Sequence, residues 1–190
     1  MAVEIEKKYR LDSDESGQIR KSLAEAGAER EGEAFEENII YRGGVLNDIG
    51  GVLRIRRTGQ KSVLTFKKRV EHVYDAKAQL EHETEVSDAD EVAEILTQLG
   101  FSPQIIYEKR RETWRFRSVE IVLDELPFGL FMEIEGPITA IREAEMLLDL
   151  DDRIEVVEET YPRLTARLGV EKNGVIEARF PQPAEPSDAT

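Results

Sequence analysis

Near the start of the chain, Glu4, Glu6, Lys8 and Arg10 alternate with Val3, Ile5, Tyr9 and Leu11, with Lys7 between. On an extended strand, alternate side chains share a face. Two carboxylates and then two cations would line one side, and the apolar residues would line the other. Neighbouring carboxylates suit a hard divalent cation, which takes oxygen ligands, and neighbouring cations suit phosphate. Together they fit a metal ion beside an anion. In this segment alone, a solvated strand face carrying cross-strand ion pairs would show the same pattern.

The pattern returns along the chain. Arg54 and Arg56 share a face opposite Leu53 and Ile55, and Thr65, Lys67 and Arg69 oppose Leu64 and Phe66. Glu83 shares a face with Glu85, and Tyr107 with Lys109 and Arg111. Glu120, Val122 and Asp124 fall together, as do Phe131, Glu133 and Glu135, with Met132 and Ile134 turned the other way. Like charges two apart on a strand repel unless opposite charge stands between them. A sheet that closes on itself would supply it, with charged faces inside and apolar faces packed under helices. A barrel of about eight strands holds side chains plus one small ligand. Carboxylates would then gather around metal and cations around phosphate.

These faces need short strands in sequence. Residues 35–42, 52–57, 62–69, 81–86, 105–117, 119–124 and 130–135 read as strands after the first, with turns at Gly43-Gly44, Gly50-Gly51 and 124–129. Ser13 is placed to cap a helix running to about Ala28, with Ile19, Leu23 and Ala26 as its apolar stripe. Ser87 with Asp90 resembles a capping box for a helix carrying Val92, Ile95, Leu96 and Leu99. Two further helices are expected near 138–149 and 160–168, the second capped by Thr160 with Pro162 in its first turn. Short turns between strands favour antiparallel pairing. The expected class is α+β: about eight strands in an antiparallel sheet or β-barrel, with helices at intervals. Residues 1–170 would form one domain. Residues 171–190, rich in Pro, Ala, Glu and Ser towards the end, would form a disordered tail.

Composition narrows the function. The chain has 190 residues and 40% apolar residues, enough for a real core in one domain. It has no cysteine and two histidines, which removes thiolate chemistry and disfavours a histidine-rich zinc site. A net charge of −14 argues against general nucleic-acid binding, which needs a basic surface. No apolar run is long enough for a membrane span, and Glu4, Glu6 and Lys7 interrupt any signal-peptide pattern. A cytoplasmic location follows by default. A small anionic substrate remains compatible, since it needs only a local cationic pocket.

Taken in order, these segments resemble the CYTH superfamily, the triphosphate tunnel enzymes. The resemblance rests on Glu4-x-Glu6-x-Lys8, Leu53-Arg54-Ile55-Arg56, Leu64-Thr65-Phe66-Lys67, Glu83-Thr84-Glu85 and Glu108-Lys109-Arg110-Arg111. It continues through Leu123-Asp124, Gly129 to Gly136, and Thr160-Tyr161 with Leu164, covering about residues 3 to 168. It implies an eight-stranded tunnel in which Lys8, Arg54, Arg56, Lys67, Lys109 and Arg111 hold phosphate oxygens. It further implies that Glu4, Glu6, Asp124, Glu133 and Glu135 coordinate Mg²⁺ or Mn²⁺, with Lys8 and Asp124 as catalytic candidates. Glu83 and Glu85 serve either the metal or the cations. The stretch from Leu99 to Arg111, and then Leu123 to Gly136, is most similar to the class IV adenylyl cyclase branch.

Three functions follow as expectations. A cyclase would let the ATP 3′-hydroxyl attack the α-phosphorus and release pyrophosphate. A hydrolase would direct water at the terminal phosphorus of tripolyphosphate or thiamine triphosphate. A non-catalytic binder would hold polyphosphate or nucleotide without needing two acidic pairs. The resemblance favours the cyclase. Trp114 reads as core under a helix, Tyr161 as a packed helix residue, and His72 and His82 as surface.

Overall fold

The computed structural model describes residues 2–59, 61–69, 77–150 and 154–181, with side chains from residue 5 onward except at 69 and 77–79. Period-two alternation produces the strands. They are β1 (Ala2–Leu11), β2 (Glu29–Arg42), β3 (Gly51–Thr58), β4 (Lys61–Arg69), β5 (Lys77–Val86), β6 (Ser102–Phe116), β7 (Val119–Leu126) and β8 (Gly129–Glu135). They follow the spatial order β2-β3-β4-β5-β1-β8-β7-β6, and β6 pairs back onto β2 from Glu29↔Arg115 to Arg42↔Ser102. Each of the eight therefore has an antiparallel neighbour on both sides, and the ring closes. Closure removes the exposed edges that an open sheet would carry.

The outward faces are apolar and lie under helices. α1 (Ser13–Glu25) and α4 (Ile138–Leu147) bury Ile19, Leu23, Ile141 and Ala144 against Trp114, Ile121, Met132 and Ile134. α3 (Ala89–Gln98) sets Leu96 and Val92 against Tyr41, Ile55 and Leu64 on β2, β3 and β4. A short α2 (Val45–Ile49), absent from the sequence expectation, joins β2 to β3. α5 (Tyr161–Leu168) packs at one end of the barrel, where Tyr161 and Leu164 meet Ile40, Tyr107, Leu126 and Phe131. No helix among the described residues is long and apolar enough to cross a membrane.

Two caps differ from expectation by one residue. Asp12, not Ser13, caps α1: its side chain accepts from Glu15 N at 2.8 Å, and Glu15 Oε2 accepts from Asp12 N at 2.7 Å. Asp88, not Ser87, caps α3 and accepts from the backbone of Asp90 and Glu91. In both cases the aspartate is the extended residue before the first helical one, which is where a side-chain oxygen reaches the free N–H groups.

The expected tail is corrected over its first part. Val170–Lys172 and Val175–Ala178 form β9 and β10, joined by Asn173-Gly174, both with positive φ. Asn-Gly is the pair that fits a tight hairpin turn. β10 runs parallel to β6 from Ile176↔Ile105 to Ala178↔Tyr107, on the edge of β6 that β7 occupies from Arg110 to Phe116. Residues 182–190 lie outside the described residues.

Candidate active site

Closure turns the charged strand faces inward and makes them neighbours. The centre is a set of ion pairs spanning β1, β8, β7, β6 and β2. Lys8 Nζ lies 3.1 Å from Glu133 Oε1, its register partner on β8. Arg111 grips Asp124 with two bonds, Nε to Oδ1 at 2.8 Å and Nη2 to Oδ2 at 2.6 Å. The same Nη2 reaches Glu133 Oε2 at 2.8 Å. Lys109 Nζ stands 3.4 Å from both Asp124 Oδ2 and Glu36 Oε2. Lys8, Lys109 and Asp124 are each no more than 2% exposed. Burial on this scale is tolerated only because every charge is paired.

α5 completes this centre. The Tyr161 hydroxyl donates to Asp124 Oδ2 at 2.8 Å, and its ring lies 3.8 Å from Lys8 Nζ. Lys8 Nζ also donates to the Glu159 carbonyl at 3.2 Å. The helix end therefore caps the cation cluster, and Tyr161 belongs to the site as well as to the core.

A second group lies on β3, β4 and β5. Arg54 Nη2 donates to Glu83 Oε1 at 3.0 Å and to Thr65 Oγ1 at 3.2 Å, and lies 3.7 Å from Glu81 Oε1. Arg56 pairs with Glu83 at 3.5 Å, and Lys67 pairs with Glu81. Thr65 donates its hydroxyl to Glu83 at 2.7 Å. Glu83 and Glu81 thus orient the cations of this wall. Glu85 sits further out, exposed, with Lys61.

The carboxylates fall into two electrostatic classes. Burial by itself would raise Glu133, but Lys8, Arg111 and Lys109 outweigh it and hold its carboxyl well below the usual range. Burial likewise opposes Glu36, yet Lys109, Arg111 and Arg56 bring it to about 2. Glu135 behaves in the opposite way. Burial, then Glu120, Glu6 and Glu133 as like charges, push it up to about 7 against the pull of Lys67. Glu6 and Glu120 are its register partners on either side. Lys67 offsets this crowding only in part, and carboxylates gathered in this way are the hard oxygen donors that a divalent cation takes. Among the described residues no three such groups yet converge on one point. The Glu4 side chain lies outside the described side chains.

The structure therefore brings Glu6, Lys8, Arg54, Arg56, Lys67, Lys109, Arg111, Asp124, Glu133 and Glu135 to one interior. Asp124 and Glu133, expected as metal ligands, hold Arg111 and Lys8 here. Arg57 faces outward to Glu37 and Asp90, as the alternation requires. Trp114 is core, and His82 lies against Phe66 with ring centroids 6.3 Å apart. His72 lies outside the described residues. Sequence reasoning missed Glu36, Asn38 and Glu81. Glu36 and Asn38 follow from the period-two face of residues 35–42, and Glu81 from stepping back two positions from Glu83. A cavity of about 450 Å³ beside α1 is lined by Ser16, Arg20, Glu112 and Glu125 and also by Arg111 and Asp124; Arg20 pairs with Glu112 and Glu125 with Arg110.

Known proteins are similar to this chain in sequence and in fold. A protein of Methanocaldococcus jannaschii named "putative adenylate cyclase" is 25% identical over 151 residues, 77% of this chain and 84% of its own. The structure of the PH1819 protein from Pyrococcus horikoshii OT3 superposes with a TM-score of 0.71 at 26% identity, covering 86% of this chain and 99% of the other. A Hippeastrum protein described as a putative adenylyl cyclase with a dominant triphosphatase activity superposes at 0.68 with 16% identity, covering 88% and 96%. The CYTH domain pattern matches residues 2–161, from β1 to the first residue of α5, and the chain belongs to the CYTH domain family.

Proposed function

We propose that this chain is a metal-dependent triphosphate hydrolase that directs water at the terminal phosphorus of a substrate held inside the barrel. The observation that carries this reading is the paired interior. Six cations, Lys8, Arg54, Arg56, Lys67, Lys109 and Arg111, face a common space, each held by carboxylates. A triphosphate would take over the cations, and the carboxylates released would be free for metal. Glu6 and Glu135, with Glu4 and Glu133 beside them in sequence, have the hard oxygen donors that Mg²⁺ or Mn²⁺ takes. Such an ion supplies charge neutralisation on phosphate oxygens. The chain's own cations bind the phosphate chain and stabilise the charge that develops on the leaving oxygen.

Hydrolysis is preferred to cyclisation because of the barrel ends. One end is filled by Tyr161, Leu164, Phe131 and Tyr107. Towards the other end, the described interior positions include Ala34, Thr58, Val63, Thr113, Glu120, Val122 and Glu135, and none of these carries a ring for a base to stack on. The cyclase reading, ATP to cyclic AMP and pyrophosphate, is retained as the second because the Methanocaldococcus relative carries that name.

The test is product identification with tripolyphosphate, thiamine triphosphate and ATP, each with Mg²⁺ or Mn²⁺. Orthophosphate with the corresponding diphosphate is expected; cyclic AMP with pyrophosphate would select the cyclase. Arg56→Ala should weaken triphosphate binding by about 10-fold or more, since a charge-assisted hydrogen bond is worth roughly 1.5 to 3 kcal/mol. Arg57→Ala, on the outer face, should change it by less than about threefold. Equal losses at the two positions would remove the interior assignment.

A further inference from the structure

Asn38 is fully buried at an interior position of β2, with Arg56 of β3 and Tyr107 of β6 as its cross-strand partners. Its Nδ2 donates to Glu36 Oε2 at 3.3 Å. Glu36 is ionised beside Lys109 and can only accept, so the amide nitrogen must face it. The orientation of the carboxamide is thereby fixed, and Oδ1 points away from Glu36. That oxygen has no hydrogen-bond partner among the described residues. A buried acceptor left unpaired is rare and costly, and calls for a donor that arrives with function.

The chemistry of the missing donor is restricted. Phosphate oxygens are acceptors and would repel Oδ1. They suit instead Arg54 Nε, a buried donor that is also unpaired among the described residues. A metal ion at Oδ1 would stand among Arg56, Lys109 and Arg111, the cations that act on neighbouring Glu36. An O–H group meets neither objection. We propose that Asn38 Oδ1 accepts a hydrogen bond from the attacking water, which makes Asn38 a catalytic residue that orients the nucleophile. This rests on the hydrolase reading above. In the step, the water oxygen bonds to the terminal phosphorus and the bridging P–O bond breaks, leaving its electron pair on diphosphate. One water proton stays on the new orthophosphate and the other ends on diphosphate. Asn38 takes no proton; it aligns the oxygen lone pair with the phosphorus.

The test compares Asn38→Leu, which keeps the volume and removes the acceptor, with Asn38→Asp, which keeps an acceptor oxygen. Tripolyphosphate turnover with Mg²⁺ is measured beside calorimetric binding of the non-hydrolysable imidotriphosphate and of Mg²⁺ alone. Asn38→Leu is expected to lose about 100-fold in kcat through misplacement of the nucleophile. Its KM and its imidotriphosphate affinity should stay within about threefold. Asn38→Asp should stay within about 10-fold of wild-type kcat. If the leucine variant lacks a cooperative melt, Asn38→Ser decides, because its shorter side chain withdraws the acceptor and should show the same kcat loss. An unchanged kcat, a matching loss of imidotriphosphate affinity, or a loss of Mg²⁺ affinity would each overturn this role while leaving the hydrolase reading in place. Wild-type protein that binds imidotriphosphate tightly and hydrolyses none of tripolyphosphate, thiamine triphosphate and ATP would overturn both.

Discussion

Glu133 and Glu135 lie two residues apart on the same face of β8, yet their surroundings drive their carboxyl groups in opposite directions. Glu133 has Lys8 and Arg111 within 3.1 Å and stays ionised far into acid. Glu135 meets Glu6 and Glu120 across both neighbouring strands and holds its proton up to about 7. The consequence for stability has a definite sign. The unfolded carboxyl releases its proton near 4.5, so the folded form is favoured below that value and loses the advantage as pH rises to about 7. Glu135→Gln removes the penalty. The variant should therefore be more stable than wild type at pH 8, by about 1 to 3 kcal/mol at about 1.4 kcal/mol per pH unit, and equal to it at pH 4. Melting curves at the two pH values check this. A gain independent of pH would mean that Glu135 is destabilising through its shape and not its charge.

At the scale of elements, the strand faces were legible because period two is local. Arg54 and Arg56 against Leu53 and Ile55 reveal their sides without reference to any partner. Barrel closure was inferred from the abundance of charge and from the family resemblance, since the pairing of residues 29–42 with 102–116 leaves no local mark. Glu36 and Asn38 were overlooked because Glu37 between them and the apolar Ile39, Ile40 and Tyr41 after them blur the alternation. Tyr161 looked like core and is core; its second role at Asp124 depends on where α5 lands, which its own residues do not encode. β9 and β10 carried a readable sign in Asn173-Gly174, masked by the polar composition that follows. These strands hold Arg179 against Glu37 and Glu108 at 2.8 Å each and Glu177 at 3.1 Å, and bring the Phe180 N–H to Glu108. None of these contacts points into the barrel. A chain ending at Gly169 should melt about 5 to 10 °C lower, since 1 kcal/mol moves a domain of this size by roughly 2 to 4 °C. Its affinity for tripolyphosphate should stay within about threefold by calorimetry. A large loss of affinity would show that the hairpin shapes the interior as well as bracing the wall.

The molecule as a whole carries a net charge of −14 and still offers an anion six interior cations. The contradiction resolves by exchange, because the interior cations are paired with interior carboxylates that an anion would displace. In the ligand-free protein those cations are held by carboxylates, and several carboxylates, Glu135 foremost, are crowded by others of the same sign. A metal–triphosphate complex would serve both groups together, with phosphate oxygens on the cations and the ion among the carboxylates. Binding to the folded state alone stabilises it by RT ln(1 + [L]/Kd), about 2.7 kcal/mol at a hundredfold excess over Kd. For a chain of this length that corresponds to a rise of about 5 to 11 °C in Tm. Tripolyphosphate with Mg²⁺ is therefore expected to raise Tm by several degrees, and each alone by much less, because either component by itself satisfies one set of charges. Sulfate at matched ionic strength should have little effect, since screening acts mainly on exposed charges and a single small anion cannot span Lys8, Lys109 and Arg111 together with Arg54 and Arg56. A Tm indifferent to millimolar tripolyphosphate with Mg²⁺, in protein shown to be folded, would mean that the interior pairs exist to hold the barrel together and not to be exchanged for a ligand.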